Sequence, residues 1–270
     1  MPVADAELDA DLALVIDVAR EAGELSLDWL AKGAKSWDKS PGNPVTEADI
    51  ALNDLIAKRL RTARPGYGWL SEETSDNLAD RAQARVWVVD PIDGTKAFVR
   101  GEPGYCISIA RLEGERPVIG VLFNPLTNEL FAASAGGSAT LNGQPMSTLL
   151  TCALDGCGMI VRPEIHARLR GNPAWPDMRV LTPMPNSIAY RIALVAAGRW
   201  DAAIGLQQTN DWDIAAAVLI LAEAGGIATN GDGMPFAFNQ TVTRHPGVVA
   251  AGATLHPLLM DRLREMGRPS

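Results

Sequence analysis

The segment Asp90-Pro91-Ile92-Asp93-Gly94-Thr95-Lys96-Ala97-Phe98 gathers two carboxylates, a backbone carbonyl at Ile92, a glycine and a hydroxyl within a few residues. Hard divalent cations are held by all-oxygen clusters of this kind. Magnesium in particular takes one or two carboxylates and leaves positions for water and phosphate oxygens. The spacing across a turn lets one carboxylate bridge two ions while the next holds the second. Val86-Trp87-Val88-Val89 enters the segment; short, β-branched and aromatic, it reads as a buried strand stopped by Pro91. Asp-Pro and Asp-Gly are also common turn dipeptides, so the segment gains weight only alongside the rest of the chain.

Three other segments offer acidic or hydroxyl groups at the edge of an element. Asn43-Pro44-Val45-Thr46-Glu47-Ala48-Asp49 precedes a helix, where Thr46 and Asp49 also fit a capping box. Leu70-Ser71-Glu72-Glu73 could be a solvated acidic loop. Asp211-Trp212-Asp213-Ile214-Ala215-Ala216 puts Asp213 in a first helical turn, where the helix dipole favours a carboxylate by ~0.3–1 kcal/mol. Each has a plain structural reading when taken alone.

The elements that must position these groups alternate in type. Leu8, Leu12, Val15, Ile16, Ala19 and Ala22 recur at helical spacing and predict an amphipathic helix from about Leu8 to Trp29. Lys32 to Pro44 reads as a polar linker. A second helix buries Leu52, Leu55, Ile56 and Leu60 and stops before Arg64-Pro65-Gly66. The acidic loop Ser71–Asp80 follows. Tyr105–Leu112, Val118–Phe123 and Leu130–Ala133 read as a strand meander, and Asn142-Gly143 as a hairpin turn. Helices are expected at Ser187–Ala197, ended by Gly198, and from about Trp212 to Ala224, closed by Gly225-Gly226 in the left-handed conformation. The expectation is a mixed α/β layered sandwich forming a single catalytic unit. Its halves would be residues 1–134, with most acidic ligands, and 135–270, with the Trp-Asp motif.

Composition narrows the function. With 47% hydrophobic and 21% charged residues over 270 positions, the chain can bury a large core. No stretch reaches the ~18–20 apolar residues of a membrane span. Met1-Pro2-Val3-Ala4-Asp5 opens acidic and lacks the regions of a signal peptide. Cys106, Cys152 and Cys157 form no zinc spacing and suit a reducing compartment, so a cytoplasmic protein without a membrane partner is expected. A net charge of −8, with no basic stripe, argues against a nucleic-acid polymer as partner. An acidic protein handling a small phosphorylated metabolite would need cations to invert the local potential. His166, His245 and His256 are the only histidines, and none accompanies a Gly-x-Ser-x-Gly elbow, so serine-type hydrolysis has little support.

Together the four segments resemble the inositol monophosphatase superfamily of magnesium-dependent, lithium-sensitive phosphatases, over roughly residues 8–262. Its two signatures look like Trp87-Val88-Val89-Asp90-Pro91-Ile92-Asp93-Gly94-Thr95 and the run from Trp212-Asp213 to Gly225-Gly226, with Thr46-x-x-Asp49 and Glu72-Glu73 upstream. The resemblance implies the α-β-α-β-α sandwich of the carbohydrate phosphatases and two magnesium ions, with a third, weaker one near Glu72. It implies that Glu72, Asp90 and the Ile92 carbonyl hold the ion that activates water, and that Asp90, Asp93 and Asp213 hold the ion on the leaving-group side. Thr95, hydrogen-bonded to Asp49, would orient the water, while the Gly94 and Thr95 amides would bind phosphate. Lys39 is a loose match to a family lysine. A homodimer is left open.

Substrate choice rests on finer resemblances. Inositol-phosphate enzymes of the superfamily place a glutamate seven residues before the Trp-Asp aspartate, where this chain has Leu206. Gln208-Thr209-Asn210-Asp211-Trp212-Asp213 and Gly94-Thr95-Lys96 look more like the bisphosphate nucleotidases of the CysQ type. Arg191 stands where that branch carries a basic residue able to meet a second phosphate. Ser187 belongs to the substrate loop, although Asn186 replaces the usual glycine before it. The expected reaction is removal of the 3′-phosphate from adenosine 3′,5′-bisphosphate. The alternatives are an inositol-1-phosphate or broad sugar-phosphate phosphatase, then a histidinol-phosphate phosphatase. A non-catalytic metal-binding module is disfavoured because Thr95 and Asp49 accompany the ligands.

Overall fold

The computed structural model describes residues 3–172 and 175–265; Met1 and Pro2, which belong to the N-terminal reading above, lie outside the described residues. Helix α1 (Val3–Lys32) buries Val15, Val18, Ala19 and Ala22 completely. The segment expected as a linker instead forms a hairpin, β1 (Ser36–Ser40) against β2 (Asn43–Thr46). All five residues of β1 are exposed, so no burial alternation marks it in the sequence. Helix α2 (Glu47–Ala63) turns Leu52, Ile56 and Leu60 inward.

A seven-stranded sheet follows. β3 (Gly68–Ser71) runs parallel to β4 (Arg85–Asp93), then the short helix α3 (Thr95–Val99) intervenes. β5 (Cys106–Glu113), β6 (Arg116–Asn124), β7 (Glu129–Ser134), β8 (Thr140–Leu141) and β9 (Gln144–Pro145) extend it antiparallel. Two expectations shift here. β4 does not stop at Pro91; it continues to Asp93 through a register irregularity between Asp90 and Asp93, which accommodates a residue without an N–H. The sheet also runs past the expected division at 134/135, to Pro145, carried by the hairpin turn at Asn142 and Gly143, both at positive φ.

The rest of the chain builds a second sheet of five strands, ordered β11-β10-β12-β16-β14. In chain order the elements are β10 (Gly158–Val161), α4 (Pro163–Arg170), β11 (Arg179–Val180), α5 (Ile188–Ala196), β12 (Ala202–Gly205), β13 (Thr209–Asn210), α6 (Asp211–Glu223), β14 (Gly226–Thr229), β15 (Arg244–His245), β16 (Val248–Gly252) and α7 (Leu255–Glu265). Of the two glycines after α6 only Gly225 is left-handed; Gly226 opens β14. Helices α1 and α2 cover one face of the first sheet, α5 and α6 lie between the sheets, and α4 and α7 cover the outer face of the second. The order α-β-α-β-α matches the expectation. α6 is apolar nearly all round because both of its flanks are sheets.

Candidate active site

A cavity of about 290 Å3 opens where α6, the end of β4 and the loop after β3 meet. Glu72 is carried on that loop, whose course is fixed by the Glu72 N–H donating to Val89 O at 3.2 Å. Asp90, 2% exposed, accepts the Ile92 N–H at 3.0 Å. Asp213 is the third residue of α6, and its Oδ2 accepts the Asn210 N–H at 2.7 Å, closing a capping box. Carboxylate oxygens of Glu72, Asp90 and Asp213 all lie within 4.8 Å of one another. Asp93 joins them in the lining, with Oδ2 taking the Ala189 N–H at 2.8 Å and the Ser187 hydroxyl.

Asp49 serves two purposes with its two oxygens. Oδ2 caps α2 by accepting the Thr46 N–H at 2.7 Å and the Thr46 hydroxyl at 2.6 Å. Oδ1 accepts the Thr95 hydroxyl at 3.2 Å, which also lies 3.2 Å from Ile92 O. The structural and the chemical readings of this segment are therefore not alternatives. Gly94, at φ +100°, brings Thr95 into this position; a Cβ on it would lie 2.9 Å from Gly104 O and Ser187 N.

The sequence model of the "Inositol monophosphatase family" matches residues 7–268, from the first turns of α1 through the end of α7. The chain belongs to that family. Among its relatives, the inositol-1-monophosphatase of Mesorhizobium japonicum is 34% identical over 84% of this chain and 85% of its own length. Inositol monophosphatase 2 of Solanum lycopersicum is 31% identical over 93% and 97%, and the Nus factor SuhB of Xylella fastidiosa 34% over 79% of each. The fold is that of the solved suhB protein from Bartonella henselae (TM-score 0.82, 27% identity, 95% and 99% covered) and of an IMPase from Thermotoga maritima (0.81, 26%, 95% and 98%). Membership makes this chain a hydrolase of phosphoric monoesters.

The electrostatics of the family's acidic cluster favour a cation. Burial holds the Asp90 carboxyl well above the usual carboxylate range, and the charges of Glu72, Asp93 and Asp213 push it further. Asp213 is raised by burial and then by Asp93. Asp93 is raised by burial to about 6, against the hydrogen bonds from Ser187 and Ala189 that favour its charged form. Crowded, buried, all-oxygen donors of this kind fit a hard divalent ion, whose charge would offset both desolvation and mutual repulsion. Lys39, reaching in from the β1–β2 hairpin, pairs with Glu72 at 3.3 Å and with Glu73. Burial lowers the Lys39 pKa, but the two glutamates outweigh it and hold the ammonium above its ordinary value.

Not every expected substrate residue reaches the cavity. Leu206 does not line it; it packs against the core formed by Met159, Ile204 and Val249, because it follows β12 with its side chain on the outer face of the sheet. Ser187 is fully buried and caps α5, donating to Asp93 rather than lining the cavity. Arg191 does line it, but its Nε and Nη2 are committed to Pro185 O and Asn186 O, both at 2.7 Å. The structure adds lining residues that the sequence did not single out, Arg162 and Gln207, beside Gln208 of the segment already quoted. A polar clasp also holds the start of α6. Asp211, fully buried, accepts His245 Nε2 and the Asn239 N–H, each at 2.7 Å, and Asn239 Oδ1 accepts from Arg81 at 3.1 Å.

Proposed function

We propose that the protein hydrolyses the phosphate monoester of a small polyhydroxylated leaving group, a polyol or sugar phosphate, with magnesium as the cofactor. The observation that carries this reading is the lining beyond the carboxylates: the amide residues Asn186, Gln207, Gln208 and Asn210, with no aromatic residue among the described lining. Amides offer both donors and acceptors to hydroxyls, whereas an adenine ring would find no aromatic face on which to stack. Leu206 had counted against a polyol because leucine accepts no hydrogen bond; Gln207, next to it, supplies that acceptor. The names of the inositol monophosphatase relatives point the same way.

Glu72, Asp90, Asp93, Asp213 and the Ile92 carbonyl would hold two magnesium ions, with a third, weaker one near Glu72. Bound there, the metal supplies Lewis acidity toward phosphoryl oxygens and water. The chain's own groups do the rest. Thr95 Oγ1 donates to Asp49 Oδ1, so its lone pairs are left to orient the attacking water and pass its proton toward Asp49. Burial, partly offset by the bonds from Thr46, raises the Asp49 pKa, which suits a proton acceptor. The backbone amides of Gly94 and Thr95, at the turn into α3, donate to phosphate oxygens. Arg191 acts on the substrate through the loop it holds, by fixing the carbonyls of Pro185 and Asn186.

The experiment is phosphate release, with magnesium, from inositol 1-phosphate and from adenosine 3′-monophosphate. A higher kcat/KM for inositol 1-phosphate is expected. A higher value for the nucleotide would overturn the polyol assignment. One observation favours a bisphosphate nucleotide as the second reading, the cationic side chain of Arg162 in the cavity wall.

A further inference from the structure

Arg162 leads the chain from β10 into α4. Val161 stands opposite Ile204 in the parallel β10–β12 pair, which puts Arg162 beside Gly205 at the C-terminal ends of these two strands, where they wall the cavity. Pro163 restricts the residue before it to an extended conformation, and Arg162 adopts it, at φ −62° and ψ 145°. The side chain makes no capping bond to α4.

Arg162 is half-buried, and among the described residues no carboxylate or carbonyl pairs with its guanidinium. The nearby charge of note is a like one. Arg191 is held down to about 10 by burial, with Asp93 opposing and Arg162 adding to the depression. Arg191 nevertheless has two carbonyl acceptors and the Asp93 charge beside it. Arg162 has none of these. Two guanidiniums are thus kept in one cavity wall with only one of them neutralised. A protein of net charge −8 has carboxylates to spare for pairing a surface arginine, so a partner is expected to come from outside.

We infer that Arg162 is a subsite for a second anionic group, a carboxylate or a phosphate, on the leaving-group half of the substrate. This rests on the phosphomonoesterase reading above and narrows it. The reacting phosphate is drawn to the carboxylate cluster through its cations, while the second anion meets a planar, permanently charged fork suited to bidentate contact. Neutral polyol phosphates would use only the first of these.

Two matched pairs test it, in the full-length protein with magnesium: glycerol 3-phosphate against 3-phosphoglycerate, and adenosine 3′-monophosphate against adenosine 3′,5′-bisphosphate. Within a pair the members differ mainly by the second anion, so the ratio of their kcat/KM values is the readout. The anionic member is expected to lead by about tenfold or more, the scale of a hydrogen bond to a charged group. Arg162→Gln should bring that ratio down at least fivefold, through KM, and Arg162→Lys should keep part of it. A response confined to the first pair assigns a carboxylate; one confined to the second assigns a phosphate. A ratio near one in the wild type, or one that Arg162→Gln leaves intact, overturns the subsite. Should none of these esters nor inositol 1-phosphate be hydrolysed, the phosphomonoesterase reading itself fails. Calorimetric binding of 3-phosphoglycerate then decides the subsite, and equal affinity in wild type and Arg162→Gln overturns it.

Discussion

At the residue scale, the hydroxyl of Thr95 and the carboxylate of Asp49 separate water activation from metal binding. Thr95 touches Asp49 and Ile92 O but is not one of the clustered carboxylates. Thr95→Ala should therefore cut kcat by about 10²–10⁴-fold and leave the calorimetric magnesium affinity close to wild type. If affinity falls in step with turnover, Thr95 is a ligand and the division of labour is wrong. The acidic residues were legible in the sequence because carboxylates at turn and helix starts are chemically conspicuous. The outward course of Leu206 and the backbone partners of Arg191 were not legible, since a side chain's destination depends on which sheet face it leaves from and which carbonyls wait for it. Arg162 and Gln207 gave no signal at all; they are ordinary polar residues that acquire meaning only from the cavity they share.

At the element scale, the site depends on how closely α6 lies on the first sheet. Gly120, in β6, faces that helix, and a Cβ there would sit 2.6 Å from Ala216 O. The obstacle is backbone, which no rotamer change relieves. Gly120→Ala should cost about 1–3 kcal/mol of stability, as overpacking of a close interface does, measured by denaturant midpoint at unchanged m-value. An unchanged midpoint would show that α6 can lift, and with it Asp213. The elements with strong periodicity or named turns, α1, α2, the meander and the Asn142-Gly143 hairpin, were legible. The exposed β1–β2 hairpin was not, because nothing in Ser36–Ser40 alternates. The short strands of the second sheet were also missed. β12 and β16 are four and five residues long, rich in alanine, and covered by helices on both faces, which erases the two-residue period.

At the scale of the whole molecule, an acidic protein concentrates its like charges in one place and thereby creates a need for cations. Asp90, Asp93 and Asp213 all have pKa values above the unfolded carboxylate value, Asp93 at about 6. For an acid so raised, the folded state binds more protons than the unfolded one between the two values. Its contribution to stability is intact below about pH 4 and is lost as pH rises through the folded pKa. A bound divalent ion removes that loss and also stabilises by mass action. The rise in Tm on adding magnesium should therefore be larger at pH 7.5 than at pH 5; an equal or reversed difference would mean that the cluster does not bind the ion. Among the described residues no helix is long and apolar enough to cross a membrane. The most direct measurement is phosphate release from inositol 1-phosphate by wild type with magnesium, by wild type in EDTA, and by Asp90→Asn with its fold verified by circular dichroism. Turnover is expected only in the first. Release in EDTA, or by Asp90→Asn at more than a few per cent of the wild-type rate, would contradict a catalytic centre built on these carboxylates.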